Sequence, residues 1–193
     1  MLEQDQEVQA LHNETEHIYL KGAKYVASPN CTTRDPRVDI SLLVIHCISL
    51  PPNIFYGTYI QDLFTNTLDI TKHGYFTKLT GLKVSSHLLI RRNGFVMQFV
   101  PFDMQAWHAG VSSFKGRGGC NNYSIGIELE GNETQPYSSC QYAVLADIVK
   151  TLQMEFTKIT DENIVGHEDI APGRKSDPGP SFDWELFLRL KNS

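Results

Sequence analysis

The chain has 193 residues, 41% apolar and 20% charged, the composition of an ordinary globular protein able to bury about 70% of the surface its unfolded chain exposes. A formal net charge of −5 argues against a nucleic-acid backbone as the main partner. The first sixteen residues carry five acids (Glu3, Asp5, Glu7, Glu14, Glu16) and no Lys or Arg, unlike a secretory signal, and no window reaches the ~18 apolar residues of a spanning helix, so a cytoplasmic protein without membrane association is expected.

Residues 1–22 are polar and lack a sustained period of 3.6 or 2. They are expected to be a loosely held extension, with His12 and His17 in solvent, ahead of one domain over residues 23–193. Lys24 to Asp39 carries turn signals (Pro29, Asn30, Arg34-Asp35-Pro36) and reads as a surface loop leading inward. Ile40 to Ile48 is an almost continuous apolar run closed by Pro51-Pro52, the pattern of a strand buried on both faces, and it ends on His46 and Cys47. Tyr59 to Phe64 predicts a short helix, and Asn66 to Leu82 a loop with a half-buried patch near Gly74-Tyr75-Phe76.

Val84–Arg92 and Phe95–Val100 flank Asn93-Gly94, the dipeptide suited to a two-residue hairpin turn with positive φ at both positions. Residues 101–122 read as loop. In Tyr123–Gly131 the residues Ile125, Ile127 and Leu129 point one way, and Gly126, Glu128 and Glu130 the other, so this is a strand with a polar face. Ser138 and Gln141 form a capping box ahead of Leu145, Ile148, Val149, Leu152 and Phe156 at helical spacing, predicting a helix of about 18 residues. Asp183 is placed to cap a last short helix that turns Trp184, Phe187 and Leu188 inward. The expected class is α/β (α+β): a single domain with a central mixed β-sheet flanked by α-helices. Cys31, Cys47, Cys120 and Cys140 form no C-x-x-C pair and are expected to be free, mostly buried thiols.

Chemistry concentrates in Gly166–Pro180, where an imidazole, carboxylates and cations are packed among Pro and Gly. His46 stands at the C-terminal end of a buried strand, where α/β sheets place their sites. With His167 and one carboxylate it matches a catalytic zinc site, in which three protein ligands leave the fourth position to water. Spacing alone does not choose among Asp177, Glu168 and Asp169 for that carboxylate. Glu128 is a candidate proton carrier, with Glu130 sharing its face, and Lys175 a candidate for stabilising an oxyanion, with Arg174 competing. His73, His87 and His108 each read as a hydrogen-bonded structural imidazole.

The segments Val44–Pro52, Ser85–Gly94, Ala106–Ser112, Tyr123–Gly131 and Gly166–Pro180 together, in colinear order, resemble the zinc N-acetylmuramoyl-L-alanine amidases, the family of T7 lysozyme and the peptidoglycan recognition proteins. The likeness runs from about residue 22 to residue 190 and is to the cytoplasmic branch that cleaves 1,6-anhydro-muropeptides. It implies the T7 lysozyme-like fold, one Zn2+ per chain held by His46, His167 and Asp177, and Glu128 and Lys175 as the catalytic pair. Substrate contacts are implied at Cys47, Lys83, Ala106 and Trp107. The implied substrates are soluble anhydro-muropeptides met during recycling of cell-wall fragments, with no nucleic acid, membrane or obligate protein partner. All three ligand positions are filled, whereas binding-only relatives typically lack one. Three positions depart from the family pattern: Cys47 stands where Asn is usual, Lys83 where Arg is usual, and Gly119 where Arg often precedes the cysteine. Lys83 keeps the charge but not the planar fork of a guanidinium.

Overall fold

The computed structural model describes residues 11–14 and 17–193. In chain order the strands and helices are β1 (Leu11–Glu14), β2 (His17–Leu20), β3 (Lys24–Tyr25), β4 (Cys31–Thr33), β5 (Leu42–Ile48), α1 (Tyr59–Phe64), β6 (Leu88–Ile90), β7 (Val96–Gln98), β8 (Met104–Ala106), β9 (Ser113–Phe114), β10 (Arg117–Gly118), β11 (Ser124–Glu130), α2 (Ser139–Glu155), β12 (Ile164–Gly166), α3 (His167–Ile170) and α4 (Trp184–Lys191). Six strands form one mixed sheet in the order β12-β5-β11-β6-β7-β3. The β12-β5-β11-β6 block is parallel throughout, and β7 runs antiparallel to β6. This is the expected architecture. Among the described residues no helix is long and apolar enough to cross a membrane.

The period-2 alternation of the two long strands divides the core. Leu43, Ile45, Ile125, Ile127 and Leu129 face Leu145, Ile148, Val149 and Leu152 of α2 and Phe187 of α4 in one apolar layer. On the other face, Leu42 and Val44 pack with Ala109, Cys120, Tyr123 and Ile170, while Leu89, Met97 and Phe99 pack with Leu63 and Phe64 of α1. The second face carries His46 and Glu128, because both share its parity and pair directly across β5 and β11.

Local signals account for most boundaries. Helix α2 begins at the Ser138–Gln141 capping box and α4 at Asp183, whose carboxylate accepts from the Leu186 N–H at 2.8 Å. Leu188 is an exception to expectation. It is exposed, whereas Phe187 turns inward as expected, with Trp184 and Leu190 partly buried against the same layer at i−3 and i+3. The hairpin turn also differs. Arg91 N–H bonds to Phe95 C=O and Gly94 N–H to Arg91 C=O, so three residues make the turn, and of Asn93 and Gly94 only Gly94 takes positive φ, at 84°. Asn93 uses its side-chain oxygen to accept from Phe95 N–H instead, which holds it in an ordinary backbone region.

The N-terminal stretch is less loosely held than expected. Residues 1–10, 15 and 16 and the side chain of His12 lie outside the described residues. In β2, Ile18 N–H donates to Asp103 and Leu20 N–H to Gln98, Leu20 is buried in the main core, and His17 is half-buried with Nδ1 2.7 Å from Asp103. Polar anchors and one apolar residue tie the strand down, a pattern too short to register as a period. Likewise, the expected surface loop at 24–39 contributes β4, paired with β8, and buries Arg34, whose guanidinium donates to the carbonyls of Asn121, Asn122, Met104 and Ser124. Residues 66–82 include two short 3-10 turns and fully bury Phe76. All four cysteines are free thiols, Cys120 buried, Cys31 and Cys47 intermediate and Cys140 exposed, the last contrary to the expectation of burial.

Candidate metal centre

Three parallel strands deliver the site. His46 lies near the C-terminal end of β5, Glu128 beside it on β11, and Val165 pairs with Val44, so that His167 follows β12 level with His46. The chain turns into the single-turn α3 at His167, where Asp169 accepts from Gly166 N–H at 2.7 Å and fixes the turn. Asp177 returns from the Pro- and Gly-rich loop, its carbonyl accepting from Glu168 N–H at 3.0 Å.

The donor atoms converge. His46 Nδ1 lies 2.9 Å from His167 Nδ1, and each Nδ1 lies 3.1 Å from Asp177 Oδ2. Among the described residues these three form the cluster whose ligand atoms could hold a metal ion. A tetrahedral zinc with bonds of ~2.0–2.1 Å spaces its donors about 3.3 Å apart, so the triangle fits after a small expansion. Its chemistry fits too: two neutral imidazoles and a carboxylate leave a divalent ion a net positive charge. Of the alternatives, Asp169 is engaged in the α3 turn, and the Glu168 carboxylate is not among the converging ligand atoms.

Burial sets the protonation states. It drives the His46 ring down to about 4, His167 adding to the effect and Asp177 opposing it. Burial also pushes Asp177 upward, but the His46 and His167 rings that face it outweigh burial and hold the carboxyl well below its usual range. Glu128 is driven well above the carboxylate range by burial and by the Asp177 charge, with Lys175 pulling the other way. Its Oε2 is sealed and has no hydrogen-bond partner. A buried carboxylate oxygen left open costs stability, which keeps Glu128 a candidate proton carrier. Glu130 is spent elsewhere, accepting from Arg91 Nη1 and from Arg92 N–H at 3.1 Å.

The centre lies in a cavity of about 480 Å³ walled by Leu50, Leu63, Phe64, Leu79, Leu82 and Trp107. Cys47, Lys83 and Lys175 line it as well. Burial, partly offset by a hydrogen bond with Tyr137, pushes the Cys47 thiol up to about 12, so it stays protonated. Ala106 is not brought to the cavity; it is fully buried on β8 in the core beside α1. Arg174 lines the cavity but spends its guanidinium on the carbonyls of Ala109 and Val111, while Lys175 beside it is exposed and also lines the cavity.

The sequence matches the N-acetylmuramoyl-L-alanine amidase family over residues 36–180. The chain belongs to this amidase family. It is 50% identical over 172 residues, 89% of this chain and 91% of the relative, to the 1,6-anhydro-N-acetylmuramyl-L-alanine amidase AmpD of Salmonella typhimurium strain SL1344. A crystal structure of a selenomethionine AmpD derivative superposes with a TM-score of 0.87 at 50% identity, covering 89% of this chain and 96% of that one. The complex of the amidase AmiD from Escherichia coli with the substrate anhydro-N-acetylmuramic acid-L-Ala-D-gamma-Glu-L-Lys superposes with a TM-score of 0.57 at 29% identity, covering 94% of this chain and 65% of that one. The expected amidase fold is thereby shown.

His108 and Asn121 escaped assignment from sequence. His108 is hydrogen-bonded, as expected, but its partner is His46: Nδ1 lies 2.9 Å from His46 Nε2. Burial, with His46 and His87 nearby, holds its pKa well below the ordinary value. A single imidazole in a loop gives no local pattern; its place in the Trp107-His108-Ala109-Gly110 segment was the available signal.

Proposed function

We propose that this amidase is zinc-dependent and hydrolyses the amide between the lactyl group of 1,6-anhydro-N-acetylmuramic acid and L-alanine of soluble muropeptides, in cytoplasmic recycling of cell-wall fragments. The carrying observation is the meeting of His46 Nδ1, His167 Nδ1 and Asp177 Oδ2 on a cavity floor beside an unpartnered Glu128 oxygen. Bound there, zinc supplies Lewis acidity that polarises the amide carbonyl and eases ionisation of water.

Glu128 takes a proton from the attacking water as the new C–O bond forms, and gives it to the alanine nitrogen as the C–N bond breaks. The products are the lactyl carboxylic acid and a peptide with a free amine. Burial and the Asp177 charge raise its carboxyl, which makes the carboxylate a stronger acceptor for the water proton. Lys175, at the cavity wall, offers its ammonium to the oxyanion that forms on the carbonyl. Leu50, Leu63, Phe64 and Trp107 exclude water from the floor and give the substrate an apolar bed. Cys47 and Lys83 border the bound muropeptide.

The AmpD likeness and the substrate named in the AmiD complex support the anhydro-muropeptide choice. Four unpaired cysteines suit a reducing compartment. The test is metal analysis of the purified protein together with mass spectrometry of digests of soluble anhydro-muropeptide and of intact sacculus. One zinc per chain and cleavage of the soluble substrate are expected. Full activity of metal-free protein would overturn the zinc reading, and equal or better activity on sacculus the substrate reading.

A further inference from the structure

We propose that His108 and the carbonyl of Ala109, neighbours in one loop, are positioning groups that hold both histidine ligands with Nδ1 bare and facing the metal. The proposal rests on the reading of His46, His167 and Asp177 as zinc ligands. A hydrogen-bond chain behind the two rings has a fixed direction. The Cys120 carbonyl can only accept, and Ser124 Oγ donates to it at 2.6 Å. With its one proton committed, the hydroxyl accepts from His108 Nε2–H at 3.0 Å.

A neutral imidazole protonated on Nε2 leaves Nδ1 as an acceptor. His46 Nε2, 2.9 Å away, is therefore the donor, and the lone pair of His46 is left on Nδ1. At the second ligand, His167 Nε2 lies 3.3 Å from Ala109 O, again an acceptor without a proton, so that ring too carries its proton on Nε2. Two ligands 121 positions apart are thus oriented by consecutive residues of the same loop.

The loop is built to keep that register. Asn121 Oδ1 accepts from His108 N–H at 3.2 Å and from Ala109 N–H at 2.7 Å. Arg174 Nη2 holds the Ala109 carbonyl at 2.7 Å from the other side. Under the His108 ring, Gly126 leaves the space that the ring fills: a Cβ there would stand 2.5 Å from Cγ and Nδ1. Gly126 lies two residues before Glu128 on the site face of β11, so the strand that carries the proton shuttle also seats the positioning ring.

The test uses the full chain. In the unmodified, zinc-loaded protein with nitrogen-15 histidine, nuclear magnetic resonance should find His108 protonated on Nε2 and bare on Nδ1, with N–N coupling across the bond to His46. Zinc dissociation constants are then measured by chelator competition for the unmodified protein, H108L and H108N. Leucine offers no acceptor, and the loss should be about 10- to 100-fold. Asparagine sets an oxygen near the position of Nδ1 and should recover part of that loss. A His108 proton on Nδ1, an H108L constant within twofold of the unmodified protein, or equal losses in H108L and H108N would each overturn the proposal. Should H108L not fold, the ring protonation in the unmodified protein decides alone. An unmodified protein that binds no zinc would instead overturn the metal reading beneath it.

Discussion

Glu128 and Glu130 sit two positions apart on one strand with their side chains on the same face, yet their surroundings separate their roles. Glu130 is neutralised by Arg91 and anchors the Arg92 backbone, whereas Glu128 has a sealed oxygen with no partner. Glu128→Gln should therefore keep its zinc and lose turnover by about 10²- to 10⁴-fold, the range for a positioned proton carrier, as read by kcat and by metal content on the same sample. Asp177→Ala should lose metal and activity together, because it removes the carboxylate that two imidazole nitrogens face at 3.1 Å. A metal-replete Asp177→Ala protein would remove this residue from the ligand set. Glu130→Gln should act on stability: it strands a mostly buried guanidinium and costs about 3 kcal/mol, with kcat of the folded fraction close to unmodified. A normal melting temperature with lost turnover would reverse the two assignments.

At the scale of elements, the capping box of α2 does more than start a helix. Ser138 Oγ accepts from Gln141 N–H at 3.1 Å and donates to Arg92 C=O, while Gln141 Nε2 donates to the carbonyls of Ile90 and Glu130 at 3.1 and 3.0 Å. The cap thus ties the helix to the C-terminal ends of β6 and β11, the edge from which Glu128 projects. Ser138→Ala should lose about 1–2 kcal/mol, a melting-point drop of about 2–8 °C for a chain of this size, with KM unchanged. A drop below 1 °C in calorimetry would show that the cap contributes nothing beyond propensity. This element was legible in the sequence because a capping box is a short-range pattern, as is the alternation of β11. The three-residue turn at Arg92-Asn93-Gly94 was not, because Asn93 can satisfy either a left-handed backbone or a side-chain acceptor role, and the strand register decides between them. β2 escaped for a similar reason: its hold on the body is Leu20 plus hydrogen bonds to Gln98 and Asp103, partners about 80 positions away.

Across the whole molecule, the site depends on strand order. Residues 46, 128 and 167 become neighbours because β5 is inserted between β12 and β11, and no local period encodes that order. The apolar run before His46 and the turn residues around Asp177 were readable as ends of elements; their meeting came from family likeness and then from the sheet. The same assembly buries three imbalanced imidazoles, which has a consequence for acid stability. Burial holds His46 at about 4 and His87 at about 3, and His108 is well below its ordinary value. In the unfolded chain each titrates near 6.5, so above that pH all are neutral in both states and contribute no slope. Between about 6.5 and 4 the unfolded state binds up to three more protons than the folded state, and stability falls as pH falls. Glu128 has the opposite sign, since its raised carboxyl lets the folded state hold a proton that the unfolded state has released. The net is about two protons, or about 3 kcal/mol per pH unit at most, in metal-free protein. Melting temperature measured at constant ionic strength should thus drop steeply from pH 6.5 to 5 while changing little from pH 8 to 7. His87→Gln, which sits away from the ligand triangle, should lower stability at pH 8 yet flatten the acid slope by about one proton's worth, about 1.4 kcal/mol per unit. A melting temperature independent of pH between 7 and 5 would mean that these rings are not buried in the neutral form.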